Sequence, residues 1–189
     1  MAVRLIAGKH IEKVSGYDMH ETIIRSLNKR KSSCFYLGSS DDTLQKIKQR
    51  LSREHPALNI GSFSPPYKIL FNDDDNITMI NSVNEFSPEV LFVGMTAPKQ
   101  EKWVYKNRHL IDASIICSIG AVFDFYAGTV KRPNKFWISI GLEWLLRLLH
   151  EPQRLWRRTF ISAPLFLWFV LREKLHIGNI CRLPRSRSD

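Results

Sequence analysis

Gln100 and Glu101, Asp124, and the run Gly38-Ser39-Ser40 are the residues of this 189-residue chain whose types and places suggest chemistry. Each follows a strand-like apolar run and stands beside a turn former, and ligands of α/β folds bind at strand ends. The Gln100 amide offers two N–H donors and an acceptor, a set suited to sugar hydroxyls or an N-acetyl group. An exposed helix start is the plainer reading of Gln100-Glu101. Asp124 lies between Phe123 and Phe125, and a carboxylate among aromatics needs a partner. Ribose hydroxyls would serve, and so would neighbouring backbone N–H groups. Gly38-Ser39-Ser40 can cradle a phosphate at a helix N-terminus, or simply turn the chain.

Other chemistries find no support. No Walker lysine follows Gly38 and no G-x-G-x-x-G appears, which speaks against nucleotide hydrolysis and dinucleotide redox chemistry. His10, His20, His55, His109, His150 and His176 are scattered and read as surface or boundary residues outside any nucleophilic triad. No metal-ligand spacing occurs, so neither a metal nor a cofactor is expected. Cys34, Cys117 and Cys181 are widely spaced and odd in number. They read as buried free thiols, in keeping with a reducing cytoplasm.

These residues must be positioned by alternating strands and helices. Ser33 to Leu37 reads as a buried strand, followed by a helix capped by Ser40 or Asp41 with Leu44, Ile47 and Leu51 at helical spacing. Leu58 to Gly61 is a short strand, and Ser62 to Tyr67 a proline-rich loop. Asp73-Asp74-Asp75 leads a helix around Ile77 to Phe86, its carboxylates favoured by the helix dipole. Glu89 to Gly94 and Ser114 to Ile119 are further strands; Pro98 suits the first turn of the helix between them. Thr22 to Leu27 belongs to a helix ahead of the first clear strand. Such alternation predicts an α/β fold with a mostly parallel sheet and helices on both faces.

The last third differs. Phe136 to His150 reads as a helix apolar nearly all round, and a second helix after Pro152 carries Arg154, Arg157 and Arg158 on one face. Residues 131–189 hold 12 Lys/Arg against 4 Asp/Glu, whereas residues 1–130 hold 16 against 14. The basic excess therefore sits at the C-terminal end, beside Trp144, Trp156 and the apolar run from Thr159. A solvated basic face and a membrane-interface helix both fit it. That run is shorter than a spanning helix needs, and Pro164 interrupts it. No signal peptide is evident between Met1 and Lys13.

Together these motifs resemble the WecG/TagA/CpsF family of bacterial glycosyltransferases. Thr96 to Trp103, Gly120 to Gly128 with Lys131-Arg132, and Gly141 to Arg158 carry the resemblance. Glu12 to Asp18 is similar to that family's E-R-V-x-G-x-D segment, and Phe35 to Gly38 and Ser64 to Tyr67 fall in matching order. The resemblance implies a Rossmann-like domain (1–135), a C-terminal helical membrane-associating appendage (136–177) and a basic tail (178–189). It implies transfer of an N-acetylmannosamine-type sugar from a UDP donor to a polyprenyl-diphosphate-linked saccharide, without a metal, at the inner face of the cytoplasmic membrane. Teichoic acid linkage units and exopolysaccharide are among such products.

By the same resemblance Gln100 contacts the sugar, and Tyr67 and Asp124 the uridine part, with Gly38 in the substrate-binding set. Lys13 stands where the family has an arginine for the pyrophosphate, so charge survives but bidentate geometry does not. Arg154, Arg157 and Arg158 match the appendage that closes over the donor or meets lipid. The family's Thr-x-Asn and Asp-Gly motifs, the latter supplying the general base, are expected upstream of Met1. The chain would then be a fragment or a degenerate member, or Asp18 or Glu101 would substitute. A UDP-sugar-binding partner subunit and a basic nucleic-acid-binding module are the alternative functions, and the apolar, aromatic tail argues against nucleic acid. Homo-oligomers are compatible with all of this.

Overall fold

The apolar run Ser33–Gly38 forms the strand β1, with Cys34 through Gly38 buried. Burial of both strand faces is the signature of a parallel sheet covered by helices, and a computed structural model of the chain has that arrangement. It describes residues 14–130 and 163–180, with Gly8 and Phe160. β2 (Asn59–Phe63), β3 (Val90–Gly94) and β4 (Ile115–Ser118) complete a sheet of order β2-β1-β3-β4, parallel throughout. The register sets Cys34 beside Val90 and Gly38 beside Gly94.

Among the described residues, five α-helices and a 3-10 turn (Arg108–Leu110) accompany these strands in the compact unit Val14–Arg132: α1 (Gly16–Lys29), α2 (Asp41–Glu54), α3 (Asp73–Phe86), α4 (Lys99–Asn107) and α5 (Val122–Ala127). On one sheet face, Ile24 and Leu27 of α1, Leu44, Ile47 and Leu51 of α2, and Phe123 and Tyr126 of α5 pack on Cys34, Tyr36 and Phe92. On the other, Met79, Ile80 and Val83 of α3 and Trp103 of α4 pack on Phe35, Leu37, Leu91 and Val93. Each such side chain, fully buried, contributes ~1.5–3 kcal/mol. Trp103 also donates its indole N–H to Asn76 Oδ1 (2.9 Å), so the link between α3 and α4 buries no unpaired donor.

Local chemistry fixes the helix starts. Ser15 and Asp18 form a reciprocal capping box on α1, and Asn72 and Asp75 do the same on α3, each satisfying two orphan N–H groups. Asp73 to Asp75 are therefore the first turn of α3. Ser40 caps α2 through Thr43 N–H. Pro98 falls one residue before α4, after a cis Ala97–Pro98 peptide. The loop expected from Ser62 starts later, because Ser62 and Phe63 pair with Tyr36 and Leu37 and Phe63 packs into the second core cluster.

His20, expected at the surface or a boundary, is instead wholly buried. It shares a 2.6 Å hydrogen bond between Nε2 and Tyr36 Oη and meets Phe92 and Tyr126 edge to face. The spacing His20, Ile24, Leu27 puts it on the buried stripe of α1. Cys34 is buried and Cys117 half-buried, both as free thiols, and burial pushes the Cys34 thiol up to about 12.

A sixth helix, α6 (Ala163–Ile180), belongs to a second unit. Pro164 does not interrupt it; it occupies the first turn, where a missing N–H costs nothing. Leu165, Phe166, Leu167, Trp168, Phe169 and Leu171 are all at least half exposed. Among the described residues no helix is long and apolar enough to cross a membrane. Most of the expected helices from Phe136 to His150 and beyond Pro152 lie outside the described residues.

The buried His20 makes stability pH-dependent. Burial, helped by Arg50 and His55, drops its imidazole from 6.5 to about 4. Between those values the unfolded chain binds a proton that the folded chain refuses, so stability is full above about pH 6.5 and falls toward pH 4. The loss reaches roughly 3 kcal/mol. Urea unfolding from pH 7 to 4.5 should show this loss in the wild type and a shallower one in His20→Gln; equal slopes would contradict it.

Candidate functional site

Strand connectivity locates the site before any side chain does. The chain leaves β1 through α2 toward β2 and leaves β3 through α4 toward β4, with α2 and α4 on opposite faces. The carboxyl ends of β1 and β3 therefore flank a crevice from which the connections diverge, the ligand-binding position of open parallel sheets. Gly38 and Gly94 are those two strand ends, and they are partners in register.

Both glycines are required by the space. Gly38 has φ +118°, and a Cβ there would overlap the Gly94 carbonyl. A Cβ on Gly94 would lie 2.5 Å from the Phe123 ring. Ser39 follows in the left-handed region at φ 62°, and its carbonyl accepts a hydrogen bond from Ser64 Oγ (2.8 Å). The turn after β1 is thus packed closely against the end of β3, with backbone rather than side chains at the crevice wall.

Gln100 is nearly buried, at 5% exposure. Its Oε1 accepts the Met95 N–H (3.2 Å) and its Nε2 donates to Glu101 Oε1 (2.8 Å). These bonds fix which end of the amide faces which way. Gly120, after β4 at φ +43°, lies so close that an added Cβ would stand 3.2 Å from Gln100 Oε1. Gln100 thus joins the β3 and β4 ends. The exposed-start reading fails for Gln100 and holds for Glu101, which is exposed.

Asp124 is half-buried in the first turn of α5, beside the Phe123 that underlies Gly94. Gly38, Gln100 and Asp124 accordingly share one end of the sheet. Tyr67 lies on the loop between β2 and α3 at that end, but its ring is wholly exposed and touches none of the three. Lys13, Arg154, Arg157 and Arg158 lie outside the described residues. Asp18 is occupied in capping: its carboxylate accepts from Ser15 N–H and Ser15 Oγ, at 3.2 and 2.6 Å. No cluster of three or more metal-ligating side chains occurs among the described residues.

Sequence reasoning overlooked Lys99, the first residue of α4. Its ammonium donates to the Lys68 carbonyl and lies 3.5 Å from the Phe71 ring centroid. Its position directly before Gln100 was the available signal.

Comparison with known proteins places the chain in a family. A model of the Glycosyl transferase WecG/TagA/CpsF family matches residues 1–179. The chain is 29% identical over 174 residues to the N-acetylglucosaminyldiphosphoundecaprenol N-acetyl-beta-D-mannosaminyltransferase of Bacillus subtilis (strain 168), covering 92% of this chain and 65% of that protein. A Bacillus spizizenii protein of the same name has the same identity and coverage. The like-named protein of Staphylococcus aureus (strain MW2) is 22% identical over 165 residues, 87% of this chain and 62% of that one. The chain thus spans less than two thirds of the length of these relatives.

Substituting Gly38→Ala should destabilise the fold by at least ~2 kcal/mol, since strain at positive φ adds to the overlap with Gly94. Urea unfolding measures it, and a change below ~0.5 kcal/mol would contradict the close approach.

Proposed function

Because the chain belongs to the WecG/TagA/CpsF family of glycosyl transferases, we propose that its strand-end crevice binds a UDP-sugar. The sugar transferred would be of the N-acetylmannosamine type, and the acceptor a polyprenyl-diphosphate-linked saccharide. The observation that carries this reading is the buried, oriented Gln100 amide, bonded to Met95 just past β3 and packed against Gly120. A nucleotide sugar asks for such a place: open backbone for the diphosphate and a fixed amide for the sugar. The relatives' names state N-acetyl-beta-D-mannosaminyl transfer onto N-acetylglucosaminyldiphosphoundecaprenol, and the proposed donor sugar and acceptor follow them.

In this reading an acceptor hydroxyl attacks the anomeric carbon, its proton is released to water, and UDP leaves with the bonding pair. Positive charge near the departing diphosphate lowers that barrier, a role proposed for Lys13 and for Arg154, Arg157 and Arg158. Gln100 would orient the sugar and Asp124 and Tyr67 the uridine part. Tyr67 must turn inward to do so. Neither Asp18 nor Glu101 is given the deprotonation, since each carboxylate is engaged with a neighbour. A nucleotide-binding partner subunit is the second reading, favoured by that engagement.

The appendage is proposed to seat the enzyme on the inner membrane face. Six apolar side chains of α6 are exposed, and Arg172 lies over the Trp168 ring at 5.7 Å, a pairing that suits the headgroup region. Nothing here asks for nucleic acid.

Two measurements test these readings. UDP release from UDP-N-acetylmannosamine with a lipid-linked acceptor should fall about 100-fold in Gln100→Ala, the scale of one lost positioning group. Binding of UDP without turnover would favour the partner-subunit reading. Sedimentation with anionic vesicles should drop at least about fivefold on replacing Phe166 and Phe169 by serine, which removes about 1 kcal/mol or more of apolar burial. Unchanged sedimentation would remove the membrane role of α6.

A further inference from the structure

The loop between β2 and α3 runs along the carboxyl end of the sheet and is tied to both walls of the crevice. Ser64 Oγ bonds the Ser39 carbonyl behind β1. Beyond β3, Lys99 Nζ bonds the Lys68 carbonyl and covers the Phe71 ring. Tyr67, Ile69 and Leu70, between these ties, are exposed at 104%, 91% and 81%. The loop's own ammonium, on Lys68, is committed to both oxygens of Asp75 at 2.8 and 2.9 Å.

Lys99 is not committed in that way. Its partners are a neutral carbonyl and a ring face, and no carboxylate lies within ion-pair distance among the described residues. Partial burial holds its ammonium below the usual lysine range, against the pull of Asp75. A carbonyl and a ring together hold an ammonium far less tightly than a phosphate does. The flexible stem allows the head to change partners, and it starts five residues beyond Gly94 at the crevice wall.

We propose that Lys99 is a ligand of the donor's diphosphate, kept in reserve by the β2–α3 loop and exchanged from the Lys68 carbonyl to phosphate oxygen when the nucleotide binds. The inference rests on the UDP-sugar reading and adds a residue to it. The loop itself stays in place during the exchange, held by the Ser64–Ser39 bond and the Lys68–Asp75 pair.

Calorimetric titration of the full chain with UDP and with uridine tests this. Lys99→Met should weaken UDP about tenfold or more, the value of one charged hydrogen bond, and leave uridine unchanged. Lys99→Arg should keep UDP affinity within about threefold, less than the loss of one neutral hydrogen bond. Phe71→Leu, which removes the ring but keeps apolar volume, should tighten UDP about two- to fivefold. Unchanged UDP affinity in Lys99→Met, or an equal loss for uridine, overturns the role of Lys99 alone. Failure of the wild type to bind UDP overturns the donor reading and this inference together.

Discussion

The close approach of β1 and β3 at their carboxyl ends is the constraint on which the rest depends. Gly38 and Gly94 meet there without side chains, and Phe123 fills the space beneath Gly94. A second close approach occurs in the middle of β2, where a Cβ on Gly61 would overlap the Phe35 ring, away from the strand ends. At the ends of β1 and β3 the backbone itself must form the wall, because a Cβ at either strand end would overlap its neighbour. The phenylalanine that excludes a Cβ at Gly94 also fixes α5, and with it the place of Asp124. Packing and site are therefore one arrangement at this point.

Gln100 illustrates the same economy. Its amide is buried, which would be costly without partners, and the Met95 N–H and Glu101 carboxylate supply them. The outcome is an amide of defined orientation on a rigid element, which is what reading a sugar demands. Glu101 then serves by positioning Gln100, and its exposure is compatible with that duty.

Much of the framework was legible in the residues. Unbroken apolar runs such as Val90 to Val93 announced buried parallel strands, and Ser40 and the Leu44, Ile47, Leu51 stripe announced α2. What escaped notice were effects set by tertiary neighbours. His20 looks like a surface histidine until its seven-residue spacing with Leu27 is laid on the face that meets Tyr36 and Phe92. Phe63 looked like loop because prolines follow it, yet its pairing with Leu37 extends β2. Lys99 was hidden by its more suggestive neighbour, and only the contact with Phe71 marks it. The placement of Gln100 beside Gly120 needed the sheet order, which no local pattern contains.

A crystal structure of the chain with UDP tests whether the β1–β3 crevice holds a nucleoside diphosphate sugar. Density for the diphosphate is expected between the Gly38 turn and the Gly120 turn, with Gln100 beside the sugar position. Ordered UDP at the amino ends of the strands, or on the outer face of α2, would contradict it.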